Sequence, residues 1–243
     1  MKLISWNAQQ KFREKIQHFC PREWDVLVVQ ECEFTDTAIA RYREAGWHGC
    51  WDGENRHKGL GVFVPLGSSI TRLDWAVHGC RHFLPVRLGN GVVLVGVWAM
   101  GGTSPSVSYA GQVARFIEQH GKQIAAGPAL LIGDFNSNAI WDTRHKTANH
   151  TRNHALLNAM GLQSLYHVQH AETQGQERIP TFYLYRHRHK PYHLDYAYLP
   201  DDIVGASSLV VGDPDTWLQL SDHMPLFIDV AVHGWDAAAV QPR

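Results

Sequence analysis

Cysteine is scarce and widely spaced in this chain. The four cysteines lie at positions 20, 32, 50 and 80 of 243 residues, and no two of them form a Cys-x-x-Cys pair. Zinc ribbons and disulfide-rich scaffolds instead repeat cysteines at short spacings. The pattern indicates free thiols in a reducing environment, and we expect a cytoplasmic protein.

Long hydrophobic runs are also absent. No apolar stretch reaches the ~20 residues that a transmembrane helix needs. The chain starts Met-Lys-Leu-Ile-Ser-Trp-Asn, which turns polar too early for a signal peptide and is typical of a first β-strand. We therefore expect no membrane span.

Neither sign of charge is in excess. Lys and Arg together number 22 and Asp and Glu 23, so the formal net charge is -1. Each phosphate that a protein neutralises normally needs a Lys or an Arg, and this balance argues against tight binding of duplex nucleic acid. A local basic surface stays compatible with the composition, so charge alone leaves the partner open.

The composition is that of a chain with a large core, since 44% of the residues are apolar and 19% are charged. No shift in composition marks a linker. We therefore predict one domain over residues 1–232 and a loosely held tail over residues 233–243.

Short apolar, β-branched runs dominate the local pattern. They predict strands at residues 3–6, 26–29, 60–64, 92–98, 129–132, 194–199, 209–211 and 224–232. Helical spacing of apolar residues predicts helices at 107–126 and 153–160. The Gly-Asn-Gly turn at 89–91 predicts a hairpin. Hairpins together with helical crossovers predict an α/β fold, with two mixed sheets face to face and helices outside.

Two polar runs stand where predicted strands end or begin. Gly133-Asp134-Phe135-Asn136 follows one strand, and Ser221-Asp222-His223-Met224-Pro225 precedes another. Side chains at strand tips tend to face clefts. In an extended segment Asp134 and Asn136 would point the same way, and together they would hold one water or one phosphate oxygen.

Carboxylates in these positions suit a hard cation. Mg²⁺ takes oxygen ligands, keeps several waters and accepts one or two protein carboxylates, for which Glu31 and Asp222 are candidates. Such a cation stabilises charge on phosphate oxygens. His223 would hydrogen-bond a phosphoryl oxygen, while Asp195 would fix its tautomer and favour its charged form. These residue types suggest a phosphoester hydrolase that depends on a hard divalent cation such as Mg²⁺.

Five blocks in order along the chain carry a resemblance to a known family. They are Trp6-Asn7, Gln30-Glu31, Gly133-Asp134-Phe135-Asn136, His193-Leu194-Asp195-Tyr196 and Ser221-Asp222-His223-Met224-Pro225. Together they resemble the signature of the endonuclease/exonuclease/phosphatase superfamily, which includes DNase I-like nucleases and inositol polyphosphate 5-phosphatases. The resemblance implies a four-layer αββα sandwich and Mg²⁺ or Mn²⁺ dependence. It also implies that Glu31 is a metal ligand, with Asp222 near the metal and Asn7 assisting around metal and phosphate.

The resemblance implies catalytic roles for the other matching residues. Asp134 would orient or deprotonate the attacking water, and Asn136 would contact phosphate. His223, together with Asp195, would stabilise the transition state.

Two positions depart from the family's pattern. Relatives usually carry His or Tyr where Trp98 stands, and an indole donates one hydrogen bond but cannot shuttle a proton. Trp98 is a candidate substrate contact, and Tyr109 or a loop histidine is a candidate for the missing role. Gln9 stands where some relatives carry an acid, which implies a single-metal site with few ligands.

A strongly basic segment, residues 178–190, contains Arg186 and Arg188. It is interpreted either as a phosphate contact or as a solvated run of charge. Asp195 could form a salt bridge with one of these arginines instead of orienting His223. The chain has 16 histidines but no His-Glu-x-x-His motif, so a zinc site is not expected.

The sequence thus predicts a monomeric hydrolase of nucleic acid or of a nucleotide-like diester, which acts by direct in-line attack of water. The compact chain lacks the extensions that lipid-directed relatives often add. A phosphatase of a small phosphoester, of the inositol phosphate or lipid headgroup type, and a catalytically silent binding module on the same fold are alternatives. A two-carboxylate glycosidase, whose activity would survive EDTA, is a third.

Overall fold

Two six-stranded mixed β-sheets form the centre of the computed structural model, which describes residues 1–75, 79–102, 104, 108–144 and 148–232. The first sheet contains β1 (Lys2–Asn7), β2 (Val26–Cys32), β3 (Trp47–Asn55), β4 (Lys58–Pro65), β13 (Ser208–Val211) and β14 (Leu226–Asp229). The second contains β5 (Ile70–Arg72), β6 (Phe83–Leu88), β7 (Val93–Trp98), β8 (Ala129–Asp134), β9 (Leu162–Ser164) and β12 (Asp195–Pro200). Their strand orders are β13-β14-β1-β2-β4-β3 and β5-β6-β7-β8-β12-β9, and β10 (Phe182–Tyr183) pairs with β11 (Pro191–Tyr192) in a separate ladder.

Helices connect the strands. They are α1 (Asp36–Glu44), α2 (Ala110–Ala125), α3 (His150–Ala159), α4 (Leu165–His170), α5 (Asp201–Val204) and α6 (Pro214–Trp217). Short 3₁₀ turns cover Phe12–Glu14, Ile16–His18, Ala139–Arg144 and Leu184–Arg186. Thr35 and Asn149 begin α1 and α3, because each side chain accepts a backbone N–H from the first turn.

Three apolar clusters separate the layers. Between the sheets, Gly96 of β7 packs so closely that a Cβ there would lie 3.2 Å from Val62 and 3.4 Å from Val28. The outer face of the first sheet is covered by α1 and the first 3₁₀ turns, through Trp6, Phe12, Ile16, Phe19, Tyr42 and Phe63. The outer face of the second sheet is covered by α2 and α3, through Val97, Phe116, Ile117, Leu157, Tyr196 and Tyr198. This arrangement confirms the four-layer αββα sandwich.

Strand direction brings the predicted site residues to one end of the molecule. β1 and β2 run parallel, as do β7 and β8, so their carboxyl ends lie at common edges. β12 and β14 run antiparallel to β8 and β1 and therefore start at those edges, which sets Asp195 opposite Asp134. A hydrogen bond of 3.1 Å from Asn7 to Asp134 joins the edges of the two sheets.

Every strand predicted from an apolar run is present, although the last is shorter, Leu226–Asp229. The hairpin at 89–91 is confirmed, since β6 and β7 are antiparallel on either side of it. The two predicted helices are found as α2 and α3, and α3 begins earlier because Asn149 caps it. Residues 105–107 and the predicted tail, 233–243, lie outside the described residues.

The apolar runs did not predict strands β3, β5, β6, β9, β10 and β11 or helices α1, α4, α5 and α6. β3 reads Trp-His-Gly-Cys-Trp-Asp-Gly-Glu-Asn, whose glycines and polar residues interrupt any apolar alternation. In α1 only Ala38 and Tyr42 are buried, so the helix has a weak apolar stripe. Within the described part of the chain, no helix combines the length and the apolar character needed to cross a bilayer.

Candidate active site

Asp134 lies at the centre of the site, at the end of β8, and is fully buried. Its Oδ2 accepts hydrogen bonds from Asn7 Nδ2 at 3.1 Å and Asn136 Nδ2 at 2.9 Å, and its Oδ1 accepts from the Asn136 backbone N–H at 2.9 Å. Gly133 precedes it with a φ of 151°, and a Cβ there would lie 1.9 Å from the carbonyl oxygen of Val97. Glycine therefore lets β8 approach β7 closely enough to set Asp134 in this position.

Asn136 reaches Asp134 through a turn. Its φ of 47° is left-handed, a conformation that asparagine tolerates. Its Nδ2 also donates to the carbonyl oxygen of Ala99 at 3.0 Å. The expectation of an extended segment from 134 to 136 is therefore wrong, because the Asp134 carboxylate accepts a hydrogen bond from the Asn136 backbone N–H and the chain turns there. The two side chains nevertheless meet.

His223 lies between two buried carboxylates. Its Nδ1 is 2.9 Å from Asp195 Oδ2, and its Nε2 is 3.9 Å from Asp134 Oδ2. Thr181 Oγ1 accepts hydrogen bonds from the backbone N–H groups of Leu194 and Asp195, at 2.9 and 3.1 Å, and so fixes the start of β12. The Asp195 carboxylate thereby holds the imidazole in one orientation, with Nε2 facing Asp134.

The surroundings of His223 and Asp134 shift their pKa values in ways that suit different chemical roles. Burial alone lowers the pKa of His223, but the negative charges of Asp195 and Asp134 outweigh burial and raise that pKa to about 10. Burial raises the pKa of Asp134 to about 7, even though His223 and the hydrogen bond from Asn7 oppose the shift. His223 is therefore a cation at neutral pH, while Asp134 has the proton affinity that suits a general base.

Glu31 and Asp222 are two further carboxylates at this end. Glu31 lies in a β-bulge of β2 with a φ of 58°, and its Oε2 is 3.0 Å from Lys58 Nζ. Asp222 Oδ2 accepts a hydrogen bond from Gln9 Nε2 at 2.8 Å. Burial raises the pKa of Asp222, and the negative charge of Glu31 adds to the rise. Negative charge on Glu31 therefore disfavours negative charge on Asp222.

This pair fits a hard divalent cation. Oxygen donors are what Mg²⁺ prefers, and a cation between Glu31 and Asp222 would relieve their repulsion. Asp134, Asp195 and His223 also bring ligand atoms within 4.8 Å of one another. That second group is buried and hydrogen-bonded within itself, whereas the Glu31 side chain is 18% exposed. Glu31 and Asp222 are therefore the better candidates.

Arg186 is connected to the site through Gln9. Its Nε donates to Gln9 Oε1 at 3.0 Å, its Nη2 donates to the same oxygen, and Gln9 in turn bonds Asp222. Arg188 pairs instead with Asp215 of α6. Neither arginine pairs with Asp195, so the alternative salt bridge considered for that residue is wrong. In the sequence, Gln9 was noted only because some relatives carry an acid at that position. In the structure it links Arg186 of the basic segment to the Asp222 carboxylate.

Trp98 and Tyr109 differ in their exposure. The Trp98 ring is 2% exposed, stacks on His82 at a centroid distance of 4.8 Å and lies 5.3 Å from Lys58 Nζ. It therefore supports Lys58 beside Glu31 from within the core and has little surface to offer a substrate. Tyr109 is 48% exposed and, with Asn136 and Trp141, lines a cavity of about 540 Å³ next to the site.

Comparison with known proteins places this site in a family. The sequence profile of the Endonuclease/Exonuclease/phosphatase family matches residues 4–223. The chain belongs to this family. Membership makes it a phosphoester hydrolase of the kind found among DNase I-like nucleases and phosphatases, and it confirms the resemblance carried by the five sequence blocks.

Solved structures share the fold of this family member. A 3′ phosphatase, NExo, from Neisseria, bound to a product DNA hairpin, has a TM-score of 0.73 at 20% identity, over 95% of this chain and 99% of that chain. The 3′-5′ exonuclease NExo from Neisseria meningitidis has a TM-score of 0.71 at 19% identity, over 95% and 99%. An AP endonuclease from Archaeoglobus fulgidus has a TM-score of 0.71 at 18% identity, over 96% and 100%. No curated protein sequence matches the chain.

Proposed function

We propose that this chain is a phosphodiesterase that depends on Mg²⁺ or Mn²⁺, cleaves nucleic acid or a nucleotide-like diester, and works by direct in-line attack of water. The observation that carries the proposal is the position of His223. Its Nε2 lies 3.9 Å from Asp134 Oδ2, too far for a direct hydrogen bond. An oxygen of substrate or water between the two would contact both a cationic donor and a basic carboxylate.

The polar side chains of the site then have separate roles in the reaction. Asp134 takes a proton from the attacking water, since its raised pKa suits this transfer near neutral pH. His223 donates from Nε2 to a phosphoryl oxygen, whose negative charge grows in the transition state. Asn7 and Asn136 hold Asp134 in place, and Asn136 is positioned to contact phosphate.

Glu31 and Asp222 would hold the divalent cation. When bound, such a cation supplies positive charge for the phosphoryl and leaving oxygens. Arg186, which reaches Asp222 through Gln9, adds a fixed cation for a neighbouring phosphate. Tyr109 borders the cavity beside Asn136 and is placed to contact the attached nucleoside.

A substrate panel with Mg²⁺ and with EDTA tests this proposal. We expect single-stranded DNA, RNA, abasic DNA or a nucleotide diester to be hydrolysed with Mg²⁺ and spared in EDTA. DNA bearing a terminal 3′-phosphate, inositol phosphates and phospholipids complete the panel. Selective turnover of a small monoester would favour the phosphatase alternative, turnover of these phosphoesters that survives EDTA would contradict the proposed metal dependence, and binding without any turnover would favour a silent module.

A single domain over residues 1–232, a monomeric state and a cytoplasmic location stay predictions. Light scattering on the purified chain measures the molar mass in solution and tests the monomer.

A further inference from the structure

The turn between β10 and β11, residues 184–190, carries an exposed aromatic side chain. Tyr185 is 72% exposed, whereas the large aromatic residues of the three cores are buried. Its hydroxyl and ring edge have no packing role in those clusters. The ring therefore offers a flat apolar surface to solvent.

The backbone holds this ring in an unusual conformation. Tyr185 and Arg186 have φ values of 57° and 59°, in the left-handed region that glycine and asparagine occupy more readily. The turn is closed by hydrogen bonds from the Leu184 N–H to the Lys190 carbonyl oxygen at 3.0 Å and from the His187 N–H to the Leu184 carbonyl oxygen at 3.2 Å. Backbone strain of this kind persists where the surrounding structure imposes it.

The same turn is attached to the catalytic segment. The Tyr183 N–H donates to the Asp222 carbonyl oxygen at 2.8 Å. The Phe182 ring lies 4.6 Å from the His223 ring, centroid to centroid. Arg186, the residue next to Tyr185, bonds Gln9, which bonds the Asp222 carboxylate. Tyr185 is therefore fixed relative to the phosphate site from two directions.

Positive charge lies near the ring and in the same turn. Lys190 Nζ lies 5.7 Å from the Tyr185 ring centroid, and the Arg186 guanidinium is bound to the neutral amide of Gln9. Arg188 is partly neutralised by its ion pair with Asp215. An aromatic ring with a lysine near it, next to an arginine in the chain, is a combination that binds a nucleobase together with its backbone phosphates.

We propose that Tyr185 is a stacking platform for an unpaired nucleobase of a single-stranded nucleic acid whose neighbouring phosphate lies in the active site. This inference rests on the proposed function and adds the strand type to it. A base inside a duplex is already stacked on both faces, so the exposed ring favours a strand with free bases. Arg186 and Lys190 bind the phosphates on either side of that base.

Binding to short oligonucleotides tests the inference. A single-stranded DNA oligonucleotide carrying a fluorescent base analogue is titrated with full-length protein in EDTA, which keeps the probe intact. We expect Tyr185→Ala to weaken binding by about tenfold or more, the usual effect of losing one base-stacking ring. Tyr185→Trp keeps a ring and is expected to bind within about twofold of wild type. The slope of log Kd against log salt concentration stays unchanged in Tyr185→Ala, because the ring carries no charge.

Two comparisons make the result decisive. Val210→Ala removes a side chain that is 64% exposed on the edge strand β13 and is expected to bind as wild type. An equal loss on a duplex of the same sequence, or unchanged single-strand binding by Tyr185→Ala, overturns the inference. Hydrolysis of a small phosphodiester by wild-type protein with Mg²⁺ tests the proposed function separately, so the two ideas can fail independently.

Discussion

At the residue scale, the site depends on the position of His223 between the carboxylates of Asp195 and Asp134. The pairing of His223 with Asp195 could be predicted from sequence because both residues lie in recognisable blocks. Lys58 and Thr181 could not, since Lys58 reaches Glu31 from the next strand of the sheet and Thr181 reaches β12 through a loop. Contacts of this kind depend on the packed fold and leave no local pattern.

His223→Ala is expected to lower kcat by at least a hundredfold, the usual effect of removing a transition-state hydrogen bond. The variant also leaves Asp134 and Asp195 buried without their shared partner, which lowers stability. His223→Gln keeps a neutral hydrogen-bond donor and serves as the folded control. Steady-state kinetics and circular dichroism on both variants provide the measurement, and near-normal turnover in the alanine variant would remove His223 from the mechanism.

Asp195→Asn is expected to lower the pKa of His223. The folded-state pKa of about 10 lies above the ordinary value of 6.5, because Asp195 and Asp134 stabilise the cation. The charged imidazole therefore stabilises the fold fully below about pH 6.5, and this contribution is lost as the pH rises through about 10. NMR titration of the His223 ring measures the shift, with His223→Gln identifying its signals. An unchanged titration would show that Asp195 does not tune the imidazole.

At the element scale, the ends of the strands determine the geometry of the site more than their interiors do. The apolar runs predicted β1, β2, β4, β7, β8 and β12, and these strands position the central site residues. The bulge at Glu31 and the left-handed turn at Asn136 were not predictable from alternation, because each breaks the strand pattern at the residue that the site uses. Both deviations aim a polar side chain away from the regular sheet.

Gly133→Ala tests the close approach of β8 to β7. A Cβ at this position would lie 1.9 Å from the Val97 carbonyl oxygen, and the φ of 151° disfavours alanine. We expect the free energy of unfolding to fall by about 2–4 kcal/mol and activity to fall with it, since Asp134 must move. Gly127→Ala is the matched control, because a Cβ there meets nothing within 4 Å.

Chemical denaturation of both glycine variants provides the comparison. The control is expected to stay within about 1 kcal/mol of wild type. Equal effects at the two glycines would mean that the approach of β8 to β7 carries no special constraint.

At the scale of the whole molecule, the layer order and the family could be predicted from the sequence. The role of the turn between β10 and β11 could not. The net charge of -1 does not reveal that Arg186 reaches the site carboxylate Asp222 through Gln9. Arg186 lies near Asp222 only because β10 pairs with the segment around His223. The role proposed for Arg186 in substrate binding therefore depends on a long-range contact that the one-dimensional pattern cannot show.

The central claim is that Glu31 and Asp222 hold a divalent cation used for phosphoester hydrolysis. The most direct measurement is the initial rate of cleavage as a function of Mg²⁺ concentration for wild type, Glu31→Gln and the exposed-surface control Glu44→Gln. We predict that wild type and the control share one half-saturating concentration, while Glu31→Gln needs at least about tenfold more Mg²⁺, since even the loss of a group that only supports a metal ligand commonly costs ten- to a hundredfold in metal affinity. Identical titrations for all three proteins, or cleavage that persists in EDTA, would contradict the account.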